Sequence, residues 1–209
     1  MIWNDELDDY EQILPDFEIR GQRVLLRPPK VDDEMEWISL RRKNQEFVAP
    51  FEPQWSEDAL SSAFFQRRIR RVRQDWTSDR AYSFLIFKRA TEDSPEKMIG
   101  GLNINNVCRG AAQYASVGYW LDYTHQGQGY MRAALRMIIY FSHERLRLHR
   151  LNAAVLPDNF DSINLLRRVG FEEEGFARGY IEIDGRWQDH VLYGLVLSDF
   201  MRHEREKGA

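Results

Sequence analysis

Gln126-Gly127-Gln128-Gly129 stands just ahead of a long segment of helical periodicity, a placement that suggests anion chemistry. The first amides of a helix have no partner inside it and lie at the positive end of its dipole, so a phosphate belongs there. Glycine lets the backbone approach phosphate oxygens and tolerates positive φ. The same turn could equally do no more than start a helix. It is not a nucleotide P-loop, since no Gly-Lys-Ser/Thr follows, and it lacks the third glycine of a dinucleotide fingerprint. Asn159 and Ser162 precede the apolar residues Ile163, Leu165, Leu166 and Val169, the usual place of helix caps. Phe51 and Trp55, beside Pro50 and Pro53, could line an acceptor pocket or anchor packing. His190, after Asp189 in a strand pattern, reads as a structural hydrogen-bonding residue. Cys108 is the single cysteine, so an internal disulfide and a Cys-based zinc site are excluded, and with no histidine nearby it is a weak nucleophile candidate. No His/Asp/Glu spacing suggests a metal.

The elements that must position these residues alternate in period. Residues 23–27 read as a strand ended by Pro28-Pro29, after which Asp32 or Asp33 can cap a helix to about Lys43. A second helix from about Ser56 carries Leu60, Phe64, Phe65, Ile69 and Val72 on one face and Arg67, Arg68, Arg70, Arg71 and Arg73 on a basic one. Residues 82–87 form a strand and 89–97 a loop. Residues 98–107, interrupted by Gly100-Gly101, turn at Arg109-Gly110 and return as 115–121. Met131, Leu135, Ile138, Ile139, Ser142 and Leu146 share one face of a long helix over about 128–147. A short strand at 151–156, a helix stopped by Gly170 and two strands joined by the hairpin turn Asp184-Gly185 complete the chain. The pattern predicts a mixed α/β fold with a mostly antiparallel central sheet flanked by helices.

With 209 residues, 43% apolar and 30% charged, the chain reads as one globular domain at 22–200, an acidic extension at 1–21 and a tail at 201–209. The net charge of −4 argues against general or sequence-specific nucleic-acid binding, and the first eighteen residues carry seven acids and no Lys or Arg. The acidic opening lacks the basic start and apolar stretch of a secretory signal, and no apolar run approaches a membrane span, so a cytoplasmic protein is expected.

Gln126-x-x-Gly129-x-Met131 resembles the Q/R-x-x-G-x-G/A motif of GNAT acetyltransferases, with Met in the last place. Val155 to Ser162 and then Arg168-Val169-Gly170-Phe171 resemble that fold's N-x-x-S helix and its Gly-Phe ending. The similarity is to the RimJ/RimL type of ribosomal-protein N-acetyltransferases, on the RimJ side, through Ala49-Pro50-Phe51-Glu52-Pro53, Asn106 to Gly110, Gly118-Tyr119-Trp120 and Ile183 to His190.

The resemblance implies that acetyl-CoA is the donor, with the amides of Gln128, Gly129, Tyr130 and Met131 at its pyrophosphate, beside Gln126 and Gly127. It implies that the strand through Tyr119, Trp120 and Leu121 pairs with the pantetheine arm and supplies an oxyanion donor, that Asn159 contacts the pantetheine, and that Ser162 lies near the thioester sulfur. Glutamates that some relatives carry are Ser116 and Ala133 here, which leaves Glu182 as the candidate base. At pH 7 deprotonating an α-amine of pKa ~7.8 costs about 1 kcal/mol, against about 4.6 kcal/mol for a lysine. Weak base provision therefore fits an α-amine. The resemblance suggests the N-terminal Ala of a ribosomal protein as acceptor, reached by direct attack in a ternary complex, in a monomer or dimer. The rivals are a small-molecule amine, such as a polyamine or antibiotic, and a CoA-binding or ribosome-assembly factor without turnover.

Overall fold

A computed structural model of the protein describes residues 17–92 and 94–208. Most of the acidic extension lies outside the described residues. The strands are β1 (Ile19–Arg20), β2 (Val24–Arg27), β3 (Tyr82–Lys88), β4 (Lys97–Cys108), β5 (Tyr114–Leu121), β6 (Arg150–Val155), β7 (Glu172–Ile183) and β8 (Arg186–Val196). They form a single sheet in the order β1-β2-β3-β4-β5-β6-β8-β7, antiparallel throughout except at β5–β6. The helices are α1 (Glu34–Lys43), α2 (Gln45–Val48), α3 (Ser62–Thr77), α4 (Tyr130–Glu144), α5 (Phe160–Val169) and α6 (Leu197–Gly208).

Both faces of the sheet are covered, which explains why β3 is apolar almost without alternation. Tyr82, Phe84 and Ile86 pack with α4, α5 and α6, whereas Leu85 and Phe87 pack with Trp37 and Leu40 of α1 and Phe65 and Ile69 of α3. On α4 the expected Met131, Leu135, Ile138, Ile139 and Ser142 are buried, with Ala134 beside them, and Leu146 is buried just past the helix, which ends at Glu144. Asp184 and Gly185 make the β7–β8 turn with φ of 47° and 73°, the positive values that a two-residue hairpin requires.

Several boundaries differ from expectation. Asp33 does not cap α1; its carboxylate accepts from the Lys30 amide at 2.6 Å and from Arg27 at 2.8 and 2.6 Å, which fixes the turn after the two prolines. The second long helix starts at Ser62 rather than near Ser56, because Ser61 is its cap, with Oγ accepting from the Phe64 amide at 3.1 Å. Gly100 and Gly101 leave β4 continuous; a Cβ on Gly101 would lie 2.6 Å from Trp120 Nε1, so the glycine makes room for that ring. Residues 197–208 form α6, which buries Leu197, Phe200 and Met201, where the sequence suggested a domain end at 200 and a tail.

Candidate active site

β5 and β6 are paired only through Tyr114–Arg150, Ala115–Leu151 and Ser116–Asn152, and then diverge. Beyond that point β5 keeps β4 and β6 keeps β8, but the facing edges have no strand partner among the described residues. The divergence opens a cleft of about 140 Å³ lined by Val117, Gly118 and Tyr119 of β5, Ala153, Ala154 and Val155 of β6, then Leu156, Asn159, Ser162, Phe51 and His190. Unpaired strand amides and carbonyls along such an edge suit an extended, amide-containing ligand that can act as a substitute strand.

At the same side of β5 the chain turns into α4. Gly127 and Gly129 have φ of 67° and 81°, and Gly129 is the residue that caps α4 without any side-chain hydrogen bond. An α-helix begun by glycine leaves its first amides to whatever anion approaches, and the left-handed φ brings successive N–H groups to one side. Arg23 adds charge beside the turn: Nη1 donates to the Gln128 carbonyl at 2.7 Å, and the guanidinium lies 4.6 Å from the Tyr130 ring centre. Arg23, Arg132 and Arg136 line the groove next to Gly129. The side chains of Tyr130 and Met131 are buried, so only their amides are offered. Gln128 Nε2 donates to the Thr124 carbonyl at 3.0 Å, bracing the loop.

The entry to this loop is clamped by a buried carboxylate. Asp122 accepts from Lys43 Nζ at 2.9 and 3.0 Å and from Thr124 Oγ1 at 2.9 Å, and His125 Nδ1 lies 3.2 Å away. Burial pushes its carboxyl up, but the hydrogen bonds from Lys43 and Thr124 outweigh that and bring the pKa to about 2. Asn44 Oδ1 accepts from the Tyr123 amide at 2.9 Å. The C-terminal end of α1 thereby holds the loop from outside.

Across the cleft, Asn159 caps α5, its Oδ1 accepting from the Ser162 amide at 3.1 Å. The Ser162 side chain reaches toward Tyr119, whose hydroxyl is buried and makes no well-aligned hydrogen bond, although Ser162 is close enough to influence it. Burial raises Tyr119 to about 12, only partly offset by Ser162, so the phenol is a fixed O–H donor. These groups together offer donors to a developing negative charge inside a cleft whose lining carries no charged side chain among the described residues.

The remaining residues singled out from the sequence fall in three places. Phe51, 44% exposed, is at the cleft. Trp55 lies behind it: its Nε1 donates to Glu52 at 2.9 Å, and Arg41, paired in two places with Glu52, stands 4.2 Å from the Trp55 ring and 4.7 Å from the Trp120 ring. Trp120 and Leu121 do not line the cleft with their side chains, nor does Glu182, exposed on β7 opposite Trp187. The Asp184 amide donates to the Glu52 carbonyl at 3.1 Å, tying the Phe51 loop to the β7–β8 turn. Sequence reasoning passed over Arg23, Lys43 and Asp122, each meaningful only through partners distant in the chain; His190 makes the structural hydrogen bond expected of it, Nδ1 lying 3.0 Å from the Gln188 carbonyl oxygen, and also lines the cleft. Among the described residues no group of three or more His, Cys, Asp or Glu could hold a metal ion, and no helix is long and apolar enough to cross a membrane.

Residues 23–172 match the acetyltransferase (GNAT) domain family. The chain is 32% identical over 181 residues to the probable N-acetyltransferase YjcK of Bacillus subtilis, covering 87% of this chain and 98% of that protein. It is 30% identical over 191 residues to the ribosomal protein uS5-alanine N-acetyltransferase of Escherichia coli, covering 91% of this chain and 96% of that one. Among solved structures, Mycobacterium smegmatis RimJ in complex with CoA-disulfide superposes with a TM-score of 0.78 at 32% identity, over 84% of this chain and 83% of that chain.

Proposed function

The chain belongs to the GNAT acetyltransferase family, and from that premise we propose that it acetylates the α-amino group of a protein N-terminus, with the N-terminal Ala of a ribosomal protein as acceptor, by direct attack in a ternary complex. It is an acetyl-CoA-dependent acyltransferase. The observation that carries the finer reading is the cleft between β5 and β6, which joins a strand edge to polar groups suited to a thioester and holds no Asp, Glu, Lys or Arg among its described lining residues. A site that offers no carboxylate base favours an acceptor that is readily deprotonated, and an α-amine meets that condition with about 1 kcal/mol to find at pH 7.

Acetyl-CoA supplies the activated acetyl group, and the protein supplies the rest. The amides from Gln128 to Met131, with Arg23 beside them, fit the diphosphate; the free edge of β5 fits the amide groups of the pantetheine arm. An N–H on that edge is the oxyanion donor of this reading, and the Ser162 hydroxyl, near the Tyr119 phenol, is the donor toward the sulfur. Phe51 covers the acceptor side. The reading is tested by incubating the protein with acetyl-CoA and peptides copying ribosomal-protein N-termini, following free thiol and peptide mass. Acetylation at the α-amine of an Ala-initiated peptide is the expected result; thiol release with small amines alone, or cofactor binding without turnover, would overturn it.

A further inference from the structure

His190 lines the cleft and, among the described lining residues, is the one imidazole, a side chain whose ring nitrogen can accept a proton in catalysis. No Asp, Glu, Lys or Arg is among them, and Tyr119 is a phenol held in its protonated form. His190 lies on β8 opposite Ala177 and is 3% exposed. Its Nδ1 is 3.0 Å from the Gln188 carbonyl oxygen. A carbonyl can only accept, so Nδ1 carries the hydrogen and Nε2 is left with its lone pair. No hydrogen bond to Nε2 is made among the described residues. The Tyr180 ring of β7 covers the imidazole edge-on at 6.0 Å between centres. The charged neighbour in sequence, Asp189, directs a carboxylate oxygen to the Gly179 amide at 2.7 Å. The polar and aromatic residues that line the cleft with it, Tyr119 of β5, Asn159 and Ser162 at the head of α5, and Phe51, carry no charge.

We propose that His190 is the base of the transfer, its Nε2 taking a proton from the acceptor amine. The proposal rests on the acetyltransferase reading above. As the amine nitrogen bonds to the carbonyl carbon, the C–S bond breaks and its electron pair goes to sulfur. The acceptor's ammonium first gives one proton to the imidazole, which passes it to solvent, and a second nitrogen proton reaches the thiolate by way of solvent, so that ammonium and thioester become amide, thiol and one solvent proton. The fixed Nδ1–H sets the ring orientation, and the burial of the imidazole, 3% exposed beside the Tyr180 ring, limits the water that can compete for Nε2.

His190→Asn keeps a donor toward the Gln188 carbonyl and removes the base. With acetyl-CoA and an Ala-initiated peptide, kcat is expected to fall about 10²- to 10⁴-fold while CoA affinity and the peptide KM stay within about threefold of wild type. The deficit should shrink as pH rises through the amine pKa of ~7.8, because solvent then deprotonates the acceptor, and added imidazole should restore part of the rate. A folded variant that keeps kcat within threefold, or a loss of equal size at every pH, would overturn the proposal. The ¹⁵N shifts of His190 in the wild-type protein give a second readout: a neutral ring protonated at Nδ1 supports the base, and one protonated at Nε2 rules it out. Wild-type protein that binds CoA yet acetylates no amine would remove the underlying reading, and His190 as base with it.

Discussion

The Tyr119 hydroxyl is buried without a well-aligned partner, so removing it relieves an unsatisfied group while taking a donor from the cleft. Tyr119→Phe is expected to leave stability unchanged or raise it by up to about 1 kcal/mol, and to lower kcat roughly tenfold with little change in CoA affinity. Parallel thermal unfolding and steady-state kinetics check both halves. Gly129 makes the opposite case. Its φ of 81° and its place at the head of α4 mean that Gly129→Asp adds both strain and a negative charge where an anion is bound. Calorimetry should show CoA affinity reduced about tenfold or more, and Gly129→Asn, neutral and tolerant of left-handed φ, should lose less. The residues legible in the sequence were those whose meaning is local: the glycine turn, and Asn159 three positions before Ser162. Arg23 was illegible for a physical reason, since a guanidinium 105 residues from the carbonyl it meets leaves no mark on its own stretch of chain, and for His190 the hydrogen bond was legible but its place beside a gap between two other strands was not.

At the scale of elements, Asp122 joins three pieces: the end of β5, the loop before α4 and the end of α1. Its folded pKa of about 2 lies below the ordinary carboxyl value of 3.8, so its contribution is fully present above about pH 4 and is lost as pH falls through about 2. The Lys43 side chain is 40% exposed, so solvent screens the pair and a contribution of about 1–2 kcal/mol is reasonable. Urea unfolding of wild type and Asp122→Asn is therefore expected to give a stability gap that is constant from pH 7 to about 4.5 and closes between pH 4 and 2. A gap unchanged at pH 2.5 would refute the clamp. Helices and strands with a long periodic stripe, α4 above all, were readable because one face must be buried over many turns. Strand β1 was not, at two residues long, and α6 was not, because Leu197, Phe200 and Met201 are its only buried apolar anchors in a charged stretch. The start of α3 was misread because apolar spacing does not distinguish the turns at 56–61 from a first helical turn; the cap at Ser61 decides it.

For the whole molecule, the telling feature is that three paired positions are all that join β5 to β6 across the middle of the sheet. A ligand laid along the free edges would extend that ladder, so acetyl-CoA is expected to slow amide hydrogen exchange at Val117–Leu121 and at β6 more than elsewhere. At one hundred times Kd it should also stabilise the protein by about 2.7 kcal/mol. Uniform protection, or none on these strands, would argue against a substitute strand. Because proteases cut what transiently opens, the lifetime of this protein under limited proteolysis should follow the concentration of its own donor: starved of acetyl-CoA it is cleaved sooner, and when saturated it persists.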